Sequence, residues 1–404
     1  MFKSTLRLTK GIGVLVLILL ISASVGVAHY TMRGGNLTAL ENQAAKALHK
    51  DKASVQGRGV FEKGKAFTQD LASRVLGSEK QPAERKSASR DTARSPTGDI
   101  RVYFAPCQPL NPFGIDDAFL EVLNSARKSI YGAFYEFQFM PAAEVLIAKH
   151  KAGVVVRMVS DSDYKRREAI QSCIQAGIPV VFDEREAFMH DKFCVVDDTF
   201  VWTGSTNATE NCMYRNNNNS LLITSPTLAA DYAAEFGEMF TSRRFGKGSP
   251  SNTPYPEVTV GDVRIECYFA PEDHVRRAIV RTIKTAQTEI DFMAFSFTSD
   301  EIGKAMAERM DGGVRVRGIF DARLAKTAHS EHDFLAKHGA DVHLDRNQYA
   351  MHHKAIVIDS QTVITGSYNF TEAAETKNDE NVLIIHSPAV ADLYHREFES
   401  LLPR

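Results

Sequence analysis

From Ile100 onward the chain repeats itself, and the repeat narrows the open folds more than any other feature. Tyr103-Phe-Ala-Pro106 matches Tyr268-Phe-Ala-Pro271 at an offset of 165 residues. Ala133-Phe134 matches Ala294-Phe295 at 161, and Gly153–Arg157 with Asp161 matches Gly313–Arg317 with Asp321 at 160. Gly177 and Asp183 match Gly339 and Asp345 at 162. Offsets that drift by so little indicate two homologous halves with short loop differences. In each half a strand (Ile100–Phe104; Val263–Phe269) precedes an amphipathic helix (Asp116–Ala126; Val275–Ala286). An apolar strand (Ser129–Phe134; Glu289–Phe295), a helix (Ala142–His150; Glu301–Met310) and a β-branched strand (Val154–Val159; Val314–Phe320) follow. After a further helix and short strand come paired strands, Lys192–Val196 with Val201–Thr203 and Lys354–Ile358 with Val363–Thr365. Asp197-Asp198 and Asp359-Ser360 supply the turns between them. Such alternation predicts an α/β fold of two homologous α-β-α sandwich lobes packed as a pseudo-dimer, residues 100–250 and 251–404. Ser249–Gly261, with three prolines, joins them.

Charge is divided unevenly along the chain. Residues 1–100 carry 16 Lys/Arg against 8 Asp/Glu, and residues 101–404 carry 32 against 42. A basic arm suits anionic lipid or nucleic acid, whereas an acidic body argues mildly against broad nonspecific nucleic-acid binding. Residues 1–28 read as a signal peptide or membrane anchor. Lys3, Arg7 and Lys10 precede an uncharged stretch from Gly11 to Ala28. Its 18 residues, at ~1.5 Å each, nearly cross a ~30 Å hydrocarbon core. Gly26-x-Ala28 offers a cleavage site. Either outcome puts the body outside the cytoplasm, periplasmic or secreted, with membrane association through residues 11–28. Residues 29–99 read as a polar linker with a short helix from Leu40 to Leu48 and a flexible part from Leu76 to Asp99. Of five cysteines (107, 173, 194, 212, 267), no two form a zinc or redox pair, and Cys194 reads as a small buried hydrophobe.

The chemistry is concentrated in two blocks. His190-Asp191-Lys192 with Asp197, and His352-His353-Lys354 with Asp359, both read His-x-Lys-x₄-Asp. Each continues, 14 residues after its His, into Gly204-Ser205-Thr206-Asn207 or Gly366-Ser367-Tyr368-Asn369. His and Lys at i and i+2 of a strand share a face. Gly permits close backbone approach, and the Asn amide can donate to a phosphate oxygen. A pseudo-twofold axis would bring two His, two Lys and two Asn around one tetrahedral anion, with the lysines neutralising charge in place of a metal. One neutral imidazole would attack phosphorus, and the other would protonate the leaving oxygen and then activate water. Asp197 and Asp359, at strand turns, are expected to cap backbone amides. Lys165-Arg166-Arg167 reads as a solvated helix face.

These residues resemble the phospholipase D superfamily, whose signature is the duplicated His-x-Lys-x₄-Asp with Gly-Ser-x-Asn. The resemblance covers about residues 100–404 and is closest to the compact bacterial endonuclease and cardiolipin-hydrolase branch. It implies a two-lobed fold, a site between the lobes, and a phosphodiesterase without metal cofactor. It makes His190 the nucleophile and His352 the general acid/base, with Lys192, Lys354, Asn207 and Asn369 completing the catalytic set. Gly204, Ser205, Gly366 and Ser367 support it. In that branch two identical chains often share a site; here one chain holds both halves, so no dimer is required. The branch also carries a Glu 28 residues after the His. Glu380 fits, whereas the first half has Asn218, leaving one imidazole a neutral partner. Substrates expected from the resemblance are phospholipids or nucleic acids. A metal-independent endonuclease and a noncatalytic anion- or membrane-binding module are the alternatives.

Overall fold

The computed structural model describes residues 93–94, 98–106 and 114–403. The expectations for residues 1–28, for the helix at Leu40–Leu48 and for Cys107 lie outside the described residues. The first half supplies β1 (Ala93–Arg94), β2 (Ile100–Ala105), β3 (Ser129–Phe134), β4 (Val155–Ser160), β5 (Val180–Phe182), β6 (Lys192–Val196), β7 (Phe200–Gly204) and β8 (Asn218–Thr224). These form one sheet in the order β1-β2-β8-β7-β6-β3-β4-β5. The second half supplies β9 (Glu257–Val260), β10 (Val263–Ala270), β11 (Glu289–Ala294), β12 (Arg315–Phe320), β13 (Asp341–Leu344), β14 (Lys354–Ile358), β15 (Thr362–Gly366) and β16 (Glu380–His386). Their order, β13-β12-β11-β14-β15-β16-β10-β9, is the same topology. In each sheet three strands run parallel (β3-β4-β5; β11-β12-β13), joined by helices, and the remaining pairings are antiparallel. The architecture is the expected α/β pair of lobes.

Two stretches read as connectors contain strand. Ala93 pairs with Val102 at one sheet edge, within the segment expected to be flexible. Glu257–Val260 turns at Gly261, which takes the left-handed φ of 61°, and pairs back onto β10. Its alternation of exposed and buried residues was masked by the nearby prolines. A third difference concerns register. Ser129 and Glu289 open equivalent strands, so the offset there is 160 and Tyr135, not Phe134, is the counterpart of Phe295. A slip of one residue in a strand reverses every facing, and this one had hidden a site residue.

Three cores follow. One lies under the outer helices of each lobe. The third lies between the sheets and is shared by both halves. It is built on helices Pro226–Phe240 and Pro388–Leu401, whose starts are fixed alike: Ser225 and Ser387 accept from the N–H groups of Leu228 and Val390, with proline in the first turn. Tyr232 of the first helix meets Phe269 of the second lobe edge-on at 5.2 Å, and Tyr394 of the second meets Phe104 of the first lobe at the same distance. Burying such side chains contributes about 2 kcal/mol each, so each lobe draws stability from the other.

Candidate active site

The two blocks meet where the lobes meet. Met189 forms a parallel bridge with Asp379 across the lobes, and Asn217 forms one with Met351. The N–H of His190 donates to the Asp379 carbonyl at 3.0 Å, and that of His352 to Asn217 at 2.8 Å. Each histidine therefore sits just before its own strand, β6 or β14, hydrogen-bonded to the opposite half. The strands begin at Lys192 and Lys354, at the expected bounds, so each histidine lies two residues ahead of its strand and shares a face with its lysine only by extension of it. Each lysine reaches back to its own histidine's carbonyl, at 2.6 Å for Lys192 and 2.8 Å for Lys354.

The side chains cross over as well. His190 Nδ1 donates to Glu380 Oε2 at 2.7 Å, and His352 Nδ1 donates to Asn218 Oδ1 at 2.8 Å. Both contacts pin the tautomer and leave Nε2 available. Glu380 also accepts from Ser367 Oγ at 2.7 Å and Asn378 Nδ2 at 3.2 Å. In the mirror position Ser205 Oγ donates to Asn218 at 3.0 Å, while Asn218 Nδ2 donates to the Cys212 carbonyl. The serines therefore hold the groups that hold the histidines. Gly204 and Gly366 allow this approach: with φ of +143° and +156°, a Cβ on either would lie 2.3 or 2.1 Å from the Asn219 or Asn381 carbonyl oxygen.

Burial dominates the electrostatics. It depresses the pKa of both imidazoles, with Lys192 and Lys354 adding to the effect at His190, and the same lysines followed by His190 adding at His352. Burial lowers Lys192 to about 8 against the pull of Glu380 and Asp191. Lys354 is held well below the usual lysine range by burial and by repulsion from Lys192. Burial pushes Glu380 up to about 7, although Lys192 and its hydrogen-bond donors favour the carboxylate. Two histidines and two lysines that depress one another share one small volume, which an anion would relieve.

Asn207 and Asn369 lie in the loops after β7 and β15, each with Oδ1 buried and without a partner among the described residues. Asp197 and Asp359 are at the far ends of β6 and β14, a strand length away of ~16 Å. Asp197 accepts from the backbone N–H groups of Arg127, Lys128 and Ser129, and Asp359 from those of Gln287, Thr288 and Glu289. Their turns take positive φ at both central residues, 53° and 52° in the first and 52° and 53° in the second.

Some groups escaped the motif reading. Tyr135 lies edge-on to His190 at 4.6 Å and Phe295 to His352 at 4.7 Å. Lys192 Nζ is 4.8 Å from the Tyr135 ring centre, and Lys354 is 5.1 Å from that of Phe295. Asp191 and His353, the variable residues within the blocks, are both buried. Asp191 accepts from Asn381 Nδ2 at 2.6 Å, and His353 Nδ1 donates to Asn219 Oδ1 at 3.1 Å. Burial pushes Asp191 up to about 7. The only sequence signal for these pairs was the repeat itself, read across the halves. Four described cysteines (173, 194, 212 and 267) are buried and unbridged, so Cys194 is the apolar filler expected.

Residues 119–240 and 279–402 each match the family described as "Cardiolipin synthase, PLD-like domain". The chain belongs to this PLD-like family. Among its relatives, the mitochondrial cardiolipin hydrolase of Chlamydomonas reinhardtii is 34% identical over 117 residues, covering 29% of this chain and 52% of that protein. A phospholipase D of Rickettsia bellii is 31% identical over 150 residues, covering 36% and 75%. The PLD-like chain thus spans about half the length of the first of these relatives. The crystal structure of phosphatidylserine synthase from Haemophilus influenzae superposes with a TM-score of 0.57 at 15% identity, over 75% of this chain and 85% of the other, and shows the shared fold.

Proposed function

We propose that this chain hydrolyses phosphodiester bonds through a phosphohistidine. His190 Nε2 attacks phosphorus. The P–O bond to the leaving group breaks as His352 gives its proton to that oxygen. Water then attacks the phosphohistidine, His352 takes the water's proton, and the His190–phosphorus bond breaks. The observation that carries the assignment is the unequal pairing of the imidazoles. Glu380 beside His190 favours the charge that develops on the attacking ring, and neutral Asn218 lets His352 give up its proton. Lys192 and Lys354 would be held fully charged once a phosphodiester lies between them, and Asn207 and Asn369 supply amides to its oxygens. The substrate is a phospholipid headgroup ester or a nucleic-acid backbone. The basic, apolar segment at residues 1–28 supports export and membrane tethering, and both halves of the site lie in one chain, which supports action without a dimer.

Quench in SDS at neutral pH of the full-length protein with ³²P-labelled phosphodiesters, namely phosphatidylcholine, cardiolipin, DNA and RNA in EDTA, tests this reading. Acid-labile label on the protein, absent in His190→Ala, is expected. His352→Ala should slow turnover by ~10²–10⁴-fold, the usual contribution of positioned proton transfer. Label that persists in His190→Ala would move the nucleophile elsewhere, and no label with any substrate would leave an anion-binding module.

A further inference from the structure

The pseudo-twofold axis relates two seams, one beside each histidine, and they are not alike. Beside His190 the seam is filled. Gly246, in the connector after helix Pro226–Phe240, donates its N–H to the Asp379 carboxylate, and Arg185 lies 5.3 Å over the Phe245 ring. Beside His352 the equivalent seam is an open cleft of about 610 Å³. Asn217 and Met351, the residues just before Asn218 and His352, line it. So do Tyr214, Arg215, Arg346 and Tyr349. Their counterparts in the filled seam, 162 residues away, are Thr376, Lys377, Glu184 and Ala187. At these positions one seam carries two tyrosines and an arginine where the other has a threonine, an alanine and an acid.

The cleft wall is built across the lobes. Asn347 Nδ2 donates to the Arg215 carbonyl at 2.8 Å and to Asn217 Oδ1 at 2.7 Å, and Asn347 Oδ1 accepts from the N–H of Tyr349. The Arg215 guanidinium lies 5.3 Å from the Tyr349 ring centre. Tyr214 is 48% exposed, so a planar partner can reach it. Asp345 also lines the cleft, but its carboxylate accepts from the backbone N–H groups of Ala322 and Asn347.

We propose that this cleft is the leaving-group subsite for a single-stranded nucleic acid: a nucleotide next to the scissile phosphate stacks on Tyr349 or Tyr214, and its own phosphate meets Arg215 and Arg346. The proposal rests on the assignment of His352 as the acid. In-line displacement puts the leaving group opposite His190, on the side of His352, and the cleft is bounded by Met351, which precedes His352 in the chain, and by Asn217, whose carbonyl accepts from the His352 N–H. Rings with guanidinium groups suit bases and phosphates. A cationic lipid headgroup would be repelled by both arginines.

The test uses full-length protein carrying His190→Ala and fluorescence anisotropy with a labelled single-stranded DNA 12-mer, its RNA counterpart and anionic phosphatidylglycerol vesicles. Tyr349→Ala and Arg215→Ala are expected to weaken oligonucleotide binding about tenfold, and Arg215→Ala to flatten its salt dependence. Lys377→Ala, in the filled seam, should bind within twofold of the parent. Should Tyr349→Ala not fold, Tyr349→Phe keeps the ring and Tyr349→Leu removes it. Binding by the Leu variant equal to that of the Phe variant overturns the proposal, as does a loss confined to vesicles. If wild-type protein forms no phosphohistidine while these binding losses persist, the reaction fails and the subsite stands.

Discussion

At the scale of single residues, the site is two imidazoles with different neighbours. Glu380 and Asn218 occupy mirror positions, accept from mirror serines and fix the same tautomer, yet only one can bear charge. Asn218→Glu should therefore move the pH–rate limb that reports His352 upward by about 1–3 units, because a carboxylate at Nδ1 favours the imidazolium. Asn218→Gln, longer but neutral, should leave that limb in place. Limbs that stay fixed with Glu at 218 would count against the division of roles. The reactive His, Lys and Asn were legible in the sequence because their spacing is rigid. Tyr135 was not, since aligning Phe134 with Phe295 put the ring on the wrong face. Asp191 and His353 were not, because the middle position of the motif has no chemistry of its own until Asn381 and Asn219 arrive from the other half.

At the scale of elements, what places the lysines is the strand pair behind them. β6 turns into β7 through two residues of positive φ, and Asp197 ties that turn to the start of β3. Burial works to raise the Asp197 pKa, but the N–H groups of Ser129, Lys128 and Arg127 outweigh it and hold the carboxyl low. A carboxyl depressed by folding adds stability above its unfolded value, near ~3.9, and loses it as pH falls through the folded value. Asp197→Ala should cost about 2 kcal/mol at pH 7, and the gap to wild type should shrink below about pH 4. Urea unfolding at pH 7 and pH 3 measures both, and a gap that does not change with pH would contradict the capping role. The sequence foretold these turns from Asp-Asp and Asp-Ser. It concealed β9 because three prolines dominate the connector around it.

At the scale of the whole molecule, the lobes are joined by more than the connector. Asn381 accepts from Thr203 Oγ1 at 2.6 Å and from the Tyr232 hydroxyl at 3.2 Å while donating to Asp191. Asn381→Leu would remove the acceptor of both hydroxyls and the amide donor to Asp191, and should cost about 3 kcal/mol or more. Trp202 is the one tryptophan and lies in the first sheet, so its fluorescence follows that lobe, whereas far-UV circular dichroism follows both. The two transitions should coincide in wild type and variant. Separate midpoints would mean that the lobes unfold independently.

Asn219 and Asn381 show what the exchange of partners means for descent. One amide turns its oxygen to His353 and the other its nitrogen to Asp191, so the mirror residues Asp191 and His353 differ while each matches its partner across the seam. Each half is then judged by the other's contacts and not by its own ancestry. After such a duplication, the residues expected to change together are 190 with 380, 352 with 218, 191 with 381 and 353 with 219, and a half on its own would lack the residue that holds its histidine here.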